Sequence, residues 1–223
     1  MDNCGSGARR IDAETTARST PLWRTDHVHM GGTSTTAQCQ TYGLAQWVPL
    51  NGTMAGYLHA IDDYRLRSTM SSALQAALWG HGDAPQGRVP DDYPFDEARR
   101  LLEQYLSVRD YFRGDFYPLT EYTLATDAWM VYQLDRREVG DGLVVALKRE
   151  NSPYVRAAFP LHELDAERSY EVTDIDSGRT RHVGGGELMA TGLAVELQGT
   201  PASALIRYAA ANGNGASETP AVP

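Results

Sequence analysis

The chain has little cysteine, with Cys4 and Cys39 as its two residues of that type in 223. Two cysteines cannot build the disulfide framework of a small secreted domain, although a single bridge between them stays open. Neither belongs to a CxxC or CxxH pair, which argues against a structural zinc site. The fold must therefore be held together mainly by a hydrophobic core, for which this length is sufficient.

Basic residues are also scarce, with 20 Lys and Arg against 29 Asp and Glu and a formal charge of −9. Binding of nucleic acid or of an anionic membrane needs clustered positive charge, so neither partner is expected. No apolar run approaches the 18 or so residues of a membrane span, and no basic-then-apolar segment opens the chain. We expect a cytoplasmic protein whose ligand is neutral, such as a sugar.

The first half of the chain reads as mixed helix and strand. Residues 11–19 favour a helix, 20–26 a short strand, and 33–48 a helix that Pro49 must end. The segment that starts at Ser68 is either a helix or a buried strand, because its small apolar residues show no decisive period. The clearest helix covers 94–112, with Pro94 suited to a first turn and Gly114 to a stop.

The second half changes to short alternating runs separated by turns. Seven such runs follow one another along the chain, and the first starts at Trp129. Turn signals lie at Asp141-Gly142 and Ser177-Gly178. This spacing predicts an antiparallel sheet or sandwich. We therefore divide the chain into three parts. Residues 1–125 form a mixed α/β part and residues 126–209 an all-β domain. Residues 210–223 form a disordered tail, because they contain few apolar side chains to bury.

Titratable side chains follow directly on the apolar strand "PLW". Arg24, Asp26, His27 and His29 occur within six positions. In parallel α/β folds, catalytic groups lie at the carboxyl ends of strands, which makes Asp26 a candidate, although a strand-end Asp can equally cap the next turn. The two histidines could begin a metal site, but no third ligand has a suitable spacing, so no metal is predicted.

Other features have structural as well as functional interpretations. The Gly-rich "CGSGARR" from Cys4 could bring backbone N–H groups to a ligand or simply turn the chain. The tryptophans, Trp23, Trp47, Trp79 and Trp129, suit either sugar stacking or the core, and core is the interpretation adopted for most of them. "GHGD" from Gly80 could lie at a pocket rim or form an ordinary connection.

Three ordered motifs resemble the last part of the catalytic barrel of glycoside hydrolase family 36, the melibiase-type α-galactosidases. The first is a C-x-x-G…R-x-D loop, the second a W-x-S/T-D strand end and the third a Q-Y/T-G segment. The matching positions are Cys4, Gly7, Arg10, Asp12, Trp23, Thr25, Asp26, Gln40 and Gly43. The stretch 169–208 also resembles the family's C-terminal β-sandwich.

The resemblance implies a fold, a reaction and site residues. The fold is α/β plus all-β, with the last units of a (β/α)8 TIM barrel followed by an antiparallel β-sandwich. The reaction is retaining hydrolysis of terminal α-galactosides without cofactor or metal, with Asp26 as acid/base. Cys4 and Gly7 would line the sugar site, and Trp23 and Arg24 are further substrate-binding candidates.

One part of the family pattern has no match here. Retaining glycosidases use two carboxyl groups roughly 5 to 5.5 Å apart. The family's nucleophile is an Asp in a K-x-D strand before the C-x-x-G loop, and no position corresponds to it, so we expect a C-terminal fragment that is inactive alone. The full-length enzyme could be a homo-oligomer. A non-catalytic carbohydrate-binding or structural module and a related α-N-acetylgalactosaminidase remain alternatives.

Overall fold

A small parallel sheet occupies the first half of the chain in this computed structural model, which describes residues 11–18, 22–26, 32–57, 62–77 and 91–211. Its strands are β1 (Leu22–Trp23), β2 (Asn51–Tyr57) and β3 (Ala73–Ala77), in the order β1-β2-β3. Both pairings are parallel. Helices lie between consecutive strands, which is the βαβ arrangement that parallel pairing requires.

The helices are α1 (Ala13–Arg18), α2 (Ser34–Ala45), α3 (Asp63–Thr69), α4 (Phe95–Val108) and α5 (Gly185–Ala190). Thr33 caps α2 by accepting the N–H of Thr36 at 3.2 Å, and Asp62 caps α3 by accepting the N–H of Arg65 at 2.8 Å. None of the described helices is long and apolar enough to cross a membrane.

Helix α4 follows the sequence prediction closely. It begins after Pro94, carries Asp96 and Glu97 in its first turn, and continues as a 3-10 helix at Arg109–Arg113 before Gly114. The acidic first turn complements the positive end of the helix dipole. Its buried residues recur at a spacing of three or four and so form one face: Ala98, Leu101, Tyr105 and Val108.

A six-stranded antiparallel sheet dominates the second half, with strand order β4-β5-β6-β11-β8-β9. A separate antiparallel pair consists of β10 and β7. The strands are β4 (Asp115–Pro118), β5 (Trp129–Arg136), β6 (Asp141–Lys148), β7 (Arg156–Phe159), β8 (Ser169–Asp174), β9 (Thr180–Gly184), β10 (Leu193–Glu196) and β11 (Ala202–Ala210). The predicted antiparallel architecture is confirmed.

The six-stranded sheet is buried on both faces at its centre. One face, with Met130, Val145 and Leu205, packs against α2, α3 and α4. The other face, with Val131 and Ile206, packs against the β7–β10 pair. The sequences of strands β5 and β6 are therefore nearly continuous runs of apolar residues, because neither face of these strands is exposed to solvent.

Several details differ from the sequence predictions. The turn expected at Asp141-Gly142 lies one residue earlier, at Gly140, whose φ of 76° suits glycine, and Asp141 already pairs with Arg136 in the sheet. Trp47 is 81% exposed and is not a core residue, whereas Trp129 is buried as predicted. Strands β2 and β4 and helices α3 and α5 had no sequence prediction.

The described residues contain three parallel strands and no closed barrel. The tail prediction falls almost wholly on residues 212–223, outside the described part of the chain. Cys39 is a buried free thiol.

Candidate active site at the end of the first parallel strand

Strand β1 delivers three of the predicted site residues, Trp23, Arg24 and Asp26, to one end of the parallel sheet. The main chain is fixed by two hydrogen bonds, from the N–H of Leu22 to the carbonyl of Leu50 and from the N–H of Arg24 to the carbonyl of Gly52, each 2.9 Å. Pairing then stops, and Asp26 lies in a bend just past the strand.

Gly52 explains how closely the parallel strands can approach. A Cβ atom at this position would lie 2.6 Å from the carbonyl oxygen of Ala73 and 2.7 Å from its Cβ. No side chain fits there without moving the backbone of β3. A glycine on β2 is therefore required beside the strand that carries the candidate site.

Trp23 and Asp26 form the central contact of the site. The indole Nε1–H of Trp23 donates to Oδ1 of Asp26 at 2.8 Å, and both side chains are half-buried. This hydrogen bond restrains one of the two carboxyl oxygens of Asp26. A half-buried carboxyl group held in this way can exchange a proton with a bound ligand.

Thr25 connects the strand end to its two neighbours. Its carbonyl oxygen accepts the hydroxyl of Thr53 on β2 at 3.2 Å, and its own hydroxyl accepts Nε2 of Gln40 on α2 at 3.1 Å. The other amide atom of Gln40, Oε1, is buried and has no hydrogen-bond partner. Thr25 of the W-x-S/T-D motif and Gln40 of the Q-Y/T-G motif are thus hydrogen-bonded to each other in the folded chain.

Arg24 points into the protein. It is 3% exposed, and its guanidinium donates to Oδ1 of Asn51 at 3.0 Å and to the carbonyl of Thr69 at 3.2 Å. Burial lowers the pKa of Arg24 to about 10, because desolvation disfavours the charged form. Its role as a sugar ligand stays a prediction.

Cys4 and Gly7 fall outside the described residues, as do His27, His29 and the segment 80–83. Asp12, matched to the same loop motif, caps the start of α1 by accepting the N–H of Thr15 at 2.8 Å, which lowers the pKa of its carboxyl group. Across the part of the chain that the structure describes, no cluster of His, Cys, Asp and Glu could hold a metal ion.

Sequence reasoning missed two buried arginines that join the two halves of the chain. Arg67 on α3 is 2% exposed and binds Asp176 through both guanidinium Nη atoms, at 2.9 and 2.5 Å. Arg149, directly after β6, is fully buried and donates to Oε1 of Gln38 on α2 at 3.0 Å. Asp176 and Gln38 lie 109 and 111 positions away from these arginines in the chain, so no local pattern could have identified the two contacts.

The second half matches a known family model. Residues 126–207 correspond to the glycosyl hydrolase family 36 C-terminal domain. No curated protein sequence matches the chain.

Several solved structures share the fold. The galactosidase domain of the α-galactosidase-sucrose kinase AgaSK superimposes with a TM-score of 0.68 at 16% identity, over 92% of this chain and 28% of that one. The α-galactosidase AgaA from Geobacillus stearothermophilus gives 0.68 at 18% identity, over 94% and 28%. The Lactobacillus brevis α-galactosidase gives 0.60 at 15% identity, over 86% and 26%. The chain thus spans little more than a quarter of the length of these proteins.

Proposed function

We propose that this chain, which carries the glycosyl hydrolase family 36 C-terminal domain at residues 126–207, is part of a retaining α-galactosidase. The observation that supports this most strongly is the placement of Asp26. The carboxyl group sits just past a parallel strand, bonded to Trp23, in a layer that packs directly on that domain.

The parallel layer would form the last units of a (β/α)8 barrel. Strands β1, β2 and β3 are consecutive, parallel and connected by helices, which is how such barrels are built. The superposition with AgaA supports this assignment, since it extends over 94% of the chain. In barrel enzymes the catalytic groups lie at the carboxyl ends of the strands, where Asp26 is found.

In the proposed reaction, Asp26 acts first as an acid and then as a base. It would protonate the oxygen of the leaving group while a second carboxylate attacks the anomeric carbon. It would then remove a proton from the water that releases the galactose. The bond from Trp23 leaves the second carboxyl oxygen for these transfers.

The substrate proposed is an oligosaccharide with terminal α-linked galactose. AgaA variants have been crystallised in complex with raffinose and with stachyose, which supports this substrate class. The chain's charge of −9 also favours a neutral ligand over an anionic one.

The nucleophile is proposed to lie in a K-x-D strand that these 223 residues do not supply. The test compares this chain alone with a longer protein in which a K-x-D strand precedes it. We expect hydrolysis of an aryl α-galactoside by the longer protein and none by the chain alone. Turnover by the chain alone that is lost in Asp26→Asn would place both carboxyl groups within it and refute the fragment assignment.

A further inference from the structure

Arg24 has an unusual environment for a residue beside a sugar site. Its side chain is 3% exposed, and its two hydrogen-bond acceptors belong to different elements, Asn51 at the start of β2 and Thr69 at the end of α3. A side chain that is buried and already bonded in this way has little surface left for a ligand. The guanidinium instead ties three consecutive elements of the chain together.

The strand that Arg24 follows is short. Strand β1 consists of Leu22 and Trp23, and among the described strands it pairs with β2 alone. The main-chain bond from Arg24 to Gly52 is the last one before Asp26. The direction in which the chain leaves the sheet toward Asp26 therefore depends on the anchoring of the Arg24 side chain together with the bonds of Thr25 to Thr53 and Gln40.

The guanidinium of Arg24 has no acidic partner among the residues that the structure describes. None of their carboxylates lies within ion-pair distance of it, and its Nε–H finds no hydrogen-bond acceptor among them. The hydroxyl of Tyr132 on β5 is likewise buried without a hydrogen-bond partner in the described part of the chain. A buried, unpaired cation is unfavourable for stability alone, which points to a role that stability does not explain.

We infer that Arg24 is a positioning residue that holds the Trp23–Asp26 hydrogen bond in place, and that it does not bind the sugar. The inference rests on the proposed function in one respect: the Trp23–Asp26 bond matters for catalysis only if Asp26 is the acid/base.

The test uses the indole N–H resonances of the four tryptophans in a ¹⁵N-labelled sample of this chain. Asp26→Asn assigns the Trp23 resonance, because it changes the acceptor of that indole. In Arg24→Met we expect the Trp23 resonance to move upfield, as the hydrogen bond is lost, while the other three indole resonances stay in place. Should Arg24→Met fail to fold, Arg24→Lys keeps a cation that can reach only one acceptor, and a smaller upfield shift is expected.

Arg67→Met is the matched control, because Arg67 is an equally buried arginine on α3 whose hydrogen-bond partners include Gln104, Asp176 and Ser203. It should lower stability and leave the Trp23 resonance unchanged. An unchanged Trp23 resonance in a folded Arg24 variant would overturn the inference. An equal displacement in the Arg24 and Arg67 variants would do the same, since it would indicate general loosening.

Failure of the proposed function would give a different result. If Asp26→Asn leaves galactoside hydrolysis by the longer protein intact, the acid/base assignment fails, yet the Trp23 resonance still reports on positioning. In the longer protein, Arg24→Met should lower kcat with little change in KM. A rise in KM with kcat unchanged would instead identify Arg24 as a sugar ligand.

Discussion

Arg149 reaches from the end of β6 to Gln38 on α2, donating to its amide oxygen at 3.0 Å. The same guanidinium donates to the main-chain carbonyls of Thr123 and Ala125, at 2.8 and 2.6 Å. Gln38 in turn donates to the hydroxyl groups of Tyr64 and Ser68. A buried polar network therefore joins the antiparallel domain to the helices that cover the parallel sheet.

Replacement of Arg149 by Met should destabilise the chain severely. The substitution leaves the buried Oε1 of Gln38 without this donor and removes the part-buried bonds to the carbonyls of Thr123 and Ala125, and charge-assisted bonds of this kind contribute about 1.5 to 3 kcal/mol each. We expect a loss of at least about 3 kcal/mol in the free energy of unfolding, measured by urea denaturation.

Arg99→Met is the control for that substitution, since the Arg99 side chain is 65% exposed and pairs only with Asp96. Its effect should remain within about 0.5 kcal/mol. Similar losses for the two variants would show that the junction network contributes little.

Gly52→Ala should disturb the parallel sheet, because the new Cβ would meet the carbonyl oxygen of Ala73 at 2.6 Å. Separating β2 from β3 at this point is expected to cost about 1 to 3 kcal/mol of stability, as over-packing does elsewhere. Thermal unfolding compares it with Gly184→Ala, where a Cβ meets nothing within 4 Å and φ is −67°. Equal melting temperatures for the two variants would contradict the close approach.

The buried carboxyl group of Asp135 should give the folded chain an unusual pH dependence of stability. It is 4% exposed and accepts the hydroxyl of Tyr208 at 2.5 Å, and burial raises the pKa of its carboxyl group above the usual value. A pKa that is higher in the folded than in the unfolded chain means that the folded state binds the proton more tightly. This contribution to stability is therefore present at low pH and lost as the pH rises through the folded pKa.

Asp135→Asn keeps an oxygen that can accept from Tyr208 and removes the buried charge. We expect the variant to be more stable than the parent at about pH 7, with a difference that shrinks as the pH falls toward the raised pKa of the parent carboxyl group. Urea unfolding across this range measures the effect. A difference that grows as the pH falls would show that the charged form is the favoured one.

The sequence was sufficient to predict those helices and strands whose residue pattern is local. Helix α4 shows its apolar face, acidic first turn and terminal glycine in the sequence itself, and the strands from Trp129 onward show alternation between turns. Strand β2 could not be found in this way. Its sequence "NGTMAGY" contains two glycines and little apolar character, and it is a strand because β1 and β3 pair on either side.

The candidate site could be located only in part. A strand-end Asp after an apolar run suggested Asp26, but no sequence pattern indicated that Trp23 bonds to it. Arg24 also shows the limit of sequence reasoning, because an arginine beside a catalytic carboxylate suggests a ligand contact. Its burial depends on Asn51 and Thr69, which are 27 and 45 positions away.

The most direct test of the proposed acid/base role of Asp26 is how the Asp26→Asn variant responds to the leaving group. The variant is made in the longer protein with the K-x-D strand and assayed on aryl α-galactosides of decreasing leaving-group pKa and on raffinose. Loss of a general acid should lower kcat/KM, which reports the step that breaks the glycosidic bond, by about 10²- to 10⁴-fold on raffinose and far less on a dinitrophenyl galactoside, whose leaving group needs no proton. An equal loss on all substrates, or none, would contradict the assignment.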